Sequence, residues 1–134
     1  MGAASNNLEL KLLDHSLGTA TFTKPTTVYV ALFTADPGEA CSFTSEVSTS
    51  GTGYTRKAVT FAAASSGSAS SNATVTFDAA TSNWGTITHL MIVSSSSGTT
   101  SADPLYFGAL SASKSIDTGD SFSITSGNLT VSLD

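Results

Sequence analysis

Between Trp84 and Val93 the chain reads Trp-Gly-Thr-Ile-Thr-His-Leu-Met-Ile-Val, an apolar, β-branched segment entered through a Trp-Gly corner. Its length and β-branching suit a strand buried on both faces, the centre of a core. Shorter strand patterns flank it. Residues 27–34 alternate Val28, Val30 and Leu32 against Tyr29, Ala31 and Phe33, then break at Ala35-Asp36-Pro37-Gly38, a strong turn signal. Residues 54–61 and 73–79 read as two more strands, joined by a flexible Ala/Ser/Gly connection over 62–72. Strands are also predicted at 105–110, 121–125 and 128–133, the last two closing the chain as a hairpin across Ser126-Gly127-Asn128.

One helix is predicted, over residues 7–17. Asn6 and Glu9 form a capping-box pattern, and Gly18 supplies the stop. Leu10, Leu13 and Leu17 fall on one face, with Leu8 and Leu12 giving a broad apolar stripe. So short a helix is marginal alone and must dock, either on its own β core or on a neighbouring subunit. The fold expected is all-β: an antiparallel β-sandwich of about seven or eight short strands with one N-terminal amphipathic α-helix. Residues 1–134 are expected to form a single domain, with 1–26 the helix and docking segment and 27–134 the sandwich. Residues 40–53 form a polar, turn-rich excursion, longer than a simple connector needs to be, and so a candidate for contacts.

Composition narrows the function. Ser and Thr make up about a third of the chain and charged residues only 11%, under half the usual ~25%. Five Lys and Arg with no basic stripe argue against nucleic acid, since phosphate neutralisation needs clustered cations. The single Cys41 has no disulfide partner and no metal-ligand spacing. No apolar stretch approaches the ~18 residues that span a bilayer, so no membrane association is expected. The first residues lack a basic region, an apolar stretch and a lipidation pattern, so neither export nor lipidation is indicated.

No catalytic residue, cofactor or metal site is expected. Asp14-His15-Ser16 has the residue types of a hydrolytic triad, but consecutive helical residues point about 100° apart and cannot align; they are read as polar groups finishing the helix end. His89 has no Asp, Glu or Cys two residues away on its face and is read as a packed or interface histidine. Asp36 and Glu39 are read as turn-formers and not as calcium ligands. Arg56, Lys57 and Lys114 are read as making surface or cross-subunit ion pairs. Tyr54, Trp84 and Tyr106 could stack a sugar, but aromatics at strand starts more often close the ends of a β-sandwich.

Several stretches carry a likeness to a known family: Leu12-Leu13-Asp14-His15, Val28-Tyr29-Val30-Ala31-Leu32-Phe33-Thr34-Ala35-Asp36-Pro37-Gly38-Glu39, Gly53-Tyr54-Thr55-Arg56-Lys57-Ala58-Val59-Thr60-Phe61, Trp84-Gly85-Thr86-Ile87-Thr88-His89, Gly119-Asp120 and Leu129-Thr130-Val131-Ser132-Leu133-Asp134. In this order they resemble small tailed-bacteriophage virion structural proteins commonly labelled tail-fibre proteins. The chain departs from that pattern after His89, where Leu90-Met91-Ile92-Val93 runs into four serines instead of a small residue and an acidic turn.

The resemblance implies a protein made in the host cytoplasm and located in the virion, with the major capsid protein or tail proteins as partners and a homo-oligomer such as a trimer as the working form. The chain has no heptads or repeats from which to build a shaft, so a module docking on the particle, as capsid decoration, cement or tail appendage, is expected. A host-surface glycan is the alternative ligand. The expected contact residues are Leu10, Leu13 and Leu17 on the helix, Phe43 in the loop, and Tyr54 and Arg56 at the loop's exit.

Overall fold

The computed structural model describes residues 3–133; Met1 and Gly2 of the N-terminal reading and Asp134 of the closing stretch lie outside the described residues. The elements in order are β1 (Ala3–Ala4), α1 (Asn6–Ser16), β2 (Val28–Phe33), β3 (Lys57–Val59), β4 (Ser68–Ser70), β5 (Val75–Thr76), β6 (Gly85–Val93), β7 (Pro104–Ile116), β8 (Ser123–Ile124) and β9 (Thr130–Ser132). Every pairing is antiparallel. The fold is all-β with a single short N-terminal helix, as its residue pattern predicts. Its strands form one five-stranded sheet in the order β1-β7-β6-β2-β3 and two two-stranded ribbons, β4-β9 and β5-β8.

β6 lies at the centre of the main sheet and is buried on both faces, as its apolar run requires. Leu90 and Ile92, with Val30 and Leu32 of β2, share one apolar cluster with Val75 and Ile124 of one ribbon and with Val131 of the other. Met91 and Val93, with Ala31 and Phe33, face the opposite side and pack with Cys41 and Phe107. Ile87 joins the same cluster as Leu90, three residues on, although strict alternation would separate them. A register shift between Ile87 and His89 supplies the extra residue, in the manner of a β-bulge.

Four expectations need correction. The helix cap is Ser5, not Asn6: its hydroxyl accepts from the Leu8 N–H at 3.2 Å and donates to the Pro104 carbonyl at 2.8 Å, so the cap also ties the helix to β7. The last two strands do not pair as a hairpin; β8 pairs with β5 and β9 with β4, because Ser71 takes the turn between them, its carbonyl accepting from the Gly127 N–H at 2.8 Å. β4 lies inside the supposed flexible connection; Ser-Ala-Ser has no hydrophobic signal and becomes a strand only by pairing with Thr130–Ser132. The 40–53 excursion is only partly exposed. Its Cys41 and Val47 are buried, and its backbone clips to β2 through Thr34 N–H to Ser45 O and Val47 N–H to Leu32 O.

Candidate functional site

The helix presents the first candidate surface. At about 100° per residue, Leu10, Leu13 and Leu17 lie within about 60° of one another, while Leu8 and Leu12 project from nearly the opposite side. Only the second set docks: Leu8 is buried and Leu12 packs against the main core. Leu10, Leu13 and Leu17 remain 64%, 55% and 74% exposed. The five leucines read as one broad stripe are therefore two faces, one holding the helix to β7 and the other in water. The only other large hydrophobic residue exposed among the described residues is Leu133. Scattered exposed leucines are ordinary, whereas three in a row on one helix are not. Each forgoes up to about 1.5–3 kcal/mol of burial.

The second candidate gathers Phe43, Tyr54 and Arg56 around a residue with no distinguishing signal in the sequence, Glu46. Arg56 grips the Glu46 carboxylate with two bonds, Nε to Oε2 and Nη2 to Oε1, both at 2.8 Å. Its Nη1 donates to the carbonyls of Ser95 at 3.0 Å and Gly98 at 2.8 Å, reaching across to the β6–β7 loop. The Tyr54 hydroxyl donates to Glu46 Oε2 at 2.8 Å and accepts from the Leu32 N–H at 3.0 Å. The guanidinium also stands 5.0 Å from the Phe43 ring centroid, a cation–π geometry. These contacts lock the 40–53 loop, the strand β2 beneath it and the β6–β7 loop together. The pair is almost fully buried, and Arg56 meets its partner within its own chain. Lys57 makes an exposed pair with Asp78 at 2.9 Å.

Burial tunes these groups. It pulls Arg56 down, but the hydrogen bonds and charge of Glu46 more than offset this and hold it above its usual value. Burial, then the Glu46 charge, pushes the Tyr54 phenol well above the ordinary tyrosine range. Burial raises Tyr106 as well, and burial with Asp36 pushes Cys41 up to about 11. In each of these last three the fold keeps the neutral form, while the unfolded chain ionises at its ordinary value of about 8.5–10. The stabilisation is therefore complete below about pH 8.5 and declines as pH rises through the cysteine and then the tyrosine range. Urea midpoints should fall between about pH 8 and about pH 11, and less steeply in Tyr54→Phe. An unchanged midpoint would show that these groups do not hold their protons in the fold.

Most of the other candidate residues are engaged within the chain. Trp84 is buried, its indole N–H donating to the Thr52 carbonyl at 2.8 Å, and its ring meets Tyr54 edge-on at 5.5 Å. Neither ring is open to stack a sugar. Tyr106 lines an apolar groove with Val28, Ile92, Leu105 and Val131. His15 Nδ1 accepts from the Phe22 N–H at 3.0 Å and Asp14 Oδ1 from Thr19 Oγ1 at 3.0 Å, which finishes the helix end. His89 Nδ1 lies 2.8 Å from Thr88 Oγ1, and Asp36 Oδ1 accepts from Gly38 N–H as a turn-former does. Among the described residues no three His, Cys, Asp or Glu side chains gather as a metal site, and no helix is long and apolar enough to cross a membrane.

The fold thus combines a β scaffold, a buried Glu46–Arg56 clasp that holds its loops, and an apolar helix face left in water. The family model described as podophage GP4 fiber I protein gp80 matches residues 3–132, and the chain belongs to that family. It is thus a phage fibre protein, a structural component of the virion. No curated protein matches the chain.

Proposed function

We propose that the chain is a docking module of the phage tail fibre, seated on a larger virion protein through Leu10, Leu13 and Leu17. The observation that carries this reading is the leucine row left in water on a helix already anchored by its other face. The β scaffold, with the Glu46–Arg56 clasp holding its loops, serves as one rigid unit behind that face. The family is described as a fibre protein, which supports a place on a fibre. Assembly as a homo-oligomer, such as a trimer, would repeat the same small contact and raise its strength through effective concentration.

Changing the three leucines to serine in one variant is expected to leave the unfolding midpoint nearly unchanged, because all three are exposed, and to reduce incorporation into particles at least about tenfold. Normal incorporation would remove the docking role. Gold labelling of particles on this protein is expected to decorate the tail. Labelling of the head would make it a capsid decoration protein instead.

A further inference from the structure

The N-terminal segment is held to the β scaffold unevenly. Its hydrogen bonds to the scaffold lie at its very start. Ala3 and Ala4 pair with Phe107 and Tyr106 of β7. The Ser5 N–H donates to the Leu105 carbonyl and the Ser5 hydroxyl to the Pro104 carbonyl, both at 2.8 Å, and the Asn6 N–H donates to the Glu39 carbonyl at 3.0 Å. From there to residue 27, no hydrogen bond joins the segment to the scaffold among the described residues. The hold passes to three apolar side chains: Leu8, which is buried, and Leu12 and Phe22, which pack at the margin of the main core.

The segment is nonetheless coherent in itself. The Thr19 and Ala20 N–H groups donate to the Asp14 carbonyl at 2.8 and 3.1 Å, and the Phe22 N–H donates to His15 Nδ1 at 3.0 Å. Lys11 Nζ stands 5.9 Å from the Phe22 ring centroid. The chain is thus bonded back onto its own helix as far as Phe22. There the bonding stops: among the described residues, 23–27 make no hydrogen bond, and Thr23, Lys24, Thr26 and Thr27 are exposed. The centre of the scaffold lies elsewhere, in β2 and β6, where Val30, Leu32, Ile87 and Val93 are fully buried. A unit with few buried contacts opens at a lower free energy than the core, and a few unbonded residues beside it can absorb the change in φ and ψ.

We propose that residues 3–22 form a strap that opens from the scaffold as one unit, turning about residues 23–27 while the β scaffold stays folded. The open strap remains tethered within about 20 Å of β2, since six residues of extended chain reach no further. It carries the leucine row with it, but the inference does not rest on what that row binds.

The test is native-state hydrogen exchange on the full chain. After correction for intrinsic rates, the amides of Ser5, Asn6, Glu9 and Leu17 are expected to share one opening equilibrium. They should exchange at least about a hundredfold faster than the β2 and β6 amides, with little dependence on low urea. Leu8→Ala should speed the strap amides at least about tenfold, because it empties the seat of the closed form. Ile87→Val, a small loss at the centre of the scaffold, should speed the β2 and β6 amides about two- to tenfold and leave the strap amides unchanged, because the open form keeps the scaffold contacts. The proposal is overturned if the strap amides exchange together with those of β2 and β6, if they lack protection altogether, or if their rates grade along the helix as in fraying. It also fails if Leu8→Ala leaves the strap amides unchanged or Ile87→Val speeds both sets alike.

Discussion

Replacement of Glu46 by alanine is expected to lower the unfolding free energy by about 3–5 kcal/mol. The reason is what remains behind. Arg56 would stay in a pocket where its side chain is 3% exposed, with its charge no longer matched, and the Tyr54 hydroxyl would lose its acceptor. A buried group left without its partner costs its full desolvation, which exceeds the net worth of the bond itself. Arg56→Ala should cost a similar amount, since it also abandons the Ser95 and Gly98 carbonyls. The double variant should cost clearly less than the sum of the two, because neither charge then remains unpaired. Arg56→Lys should not rescue, as an ammonium cannot span both carboxylate oxygens and two carbonyls as the planar fork does. Chemical denaturation of the four variants checks this. A loss below about 1 kcal/mol for Glu46→Ala would place the pair among the water-screened surface bridges.

Phe77→Ala should be nearly as damaging, at about 3–5 kcal/mol. Phe77 is 1% exposed and sits among three other rings: Tyr54 stacked at 6.1 Å, Trp84 edge-on at 6.3 Å and Phe122 edge-on at 5.8 Å. Its removal leaves a cavity between elements far apart in sequence and forfeits the aromatic contacts on three sides. The half-buried Phe61, changed the same way, should cost much less, since its site is partly open to solvent. If the two substitutions prove equal in urea unfolding, the ring cluster is not the centre of the core.

The legible parts of the chain were those where a local pattern and a tertiary role coincide. β6 is apolar on both sides because both sides are buried, so the burial is written in the residues themselves. β2 and the Pro37-Gly38 turn were equally plain. β7 was half visible: its first residues are apolar, but residues 111–115 are Ser-Ala-Ser-Lys-Ser, strand only because Thr86 and Ile87 of β6 lie alongside them. The predicted strand at 54–61 shrinks to Lys57–Val59, since Tyr54 and Arg56 turn inward to the clasp instead of joining the ladder.

The contact residues divide in the same way. Leu10, Leu13 and Leu17 were found because helical periodicity is local, although which of the two leucine faces meets the protein was not. Phe43, Tyr54 and Arg56 do come together, but around Glu46, one carboxylate in a polar loop with nothing beside it to mark it. No spacing rule finds a pair ten residues apart in an irregular loop, because the distance is set by how the loop folds over β2.

The amino-acid order alone determined the all-β character, the lone N-terminal helix, the central strand and the likeness to phage fibre proteins. These rest on side-chain periodicity, turn chemistry and residue identity, which act over a few positions. Tertiary structure decided the rest: which strands pair, that the closing hairpin is instead two separate ribbons, that Arg56 is an internal clasp, and that three leucines stay in water. Each is a choice among partners distant in sequence, made by the burial of one shared core and the need to pair every buried charge. Only the folded chain sums those terms.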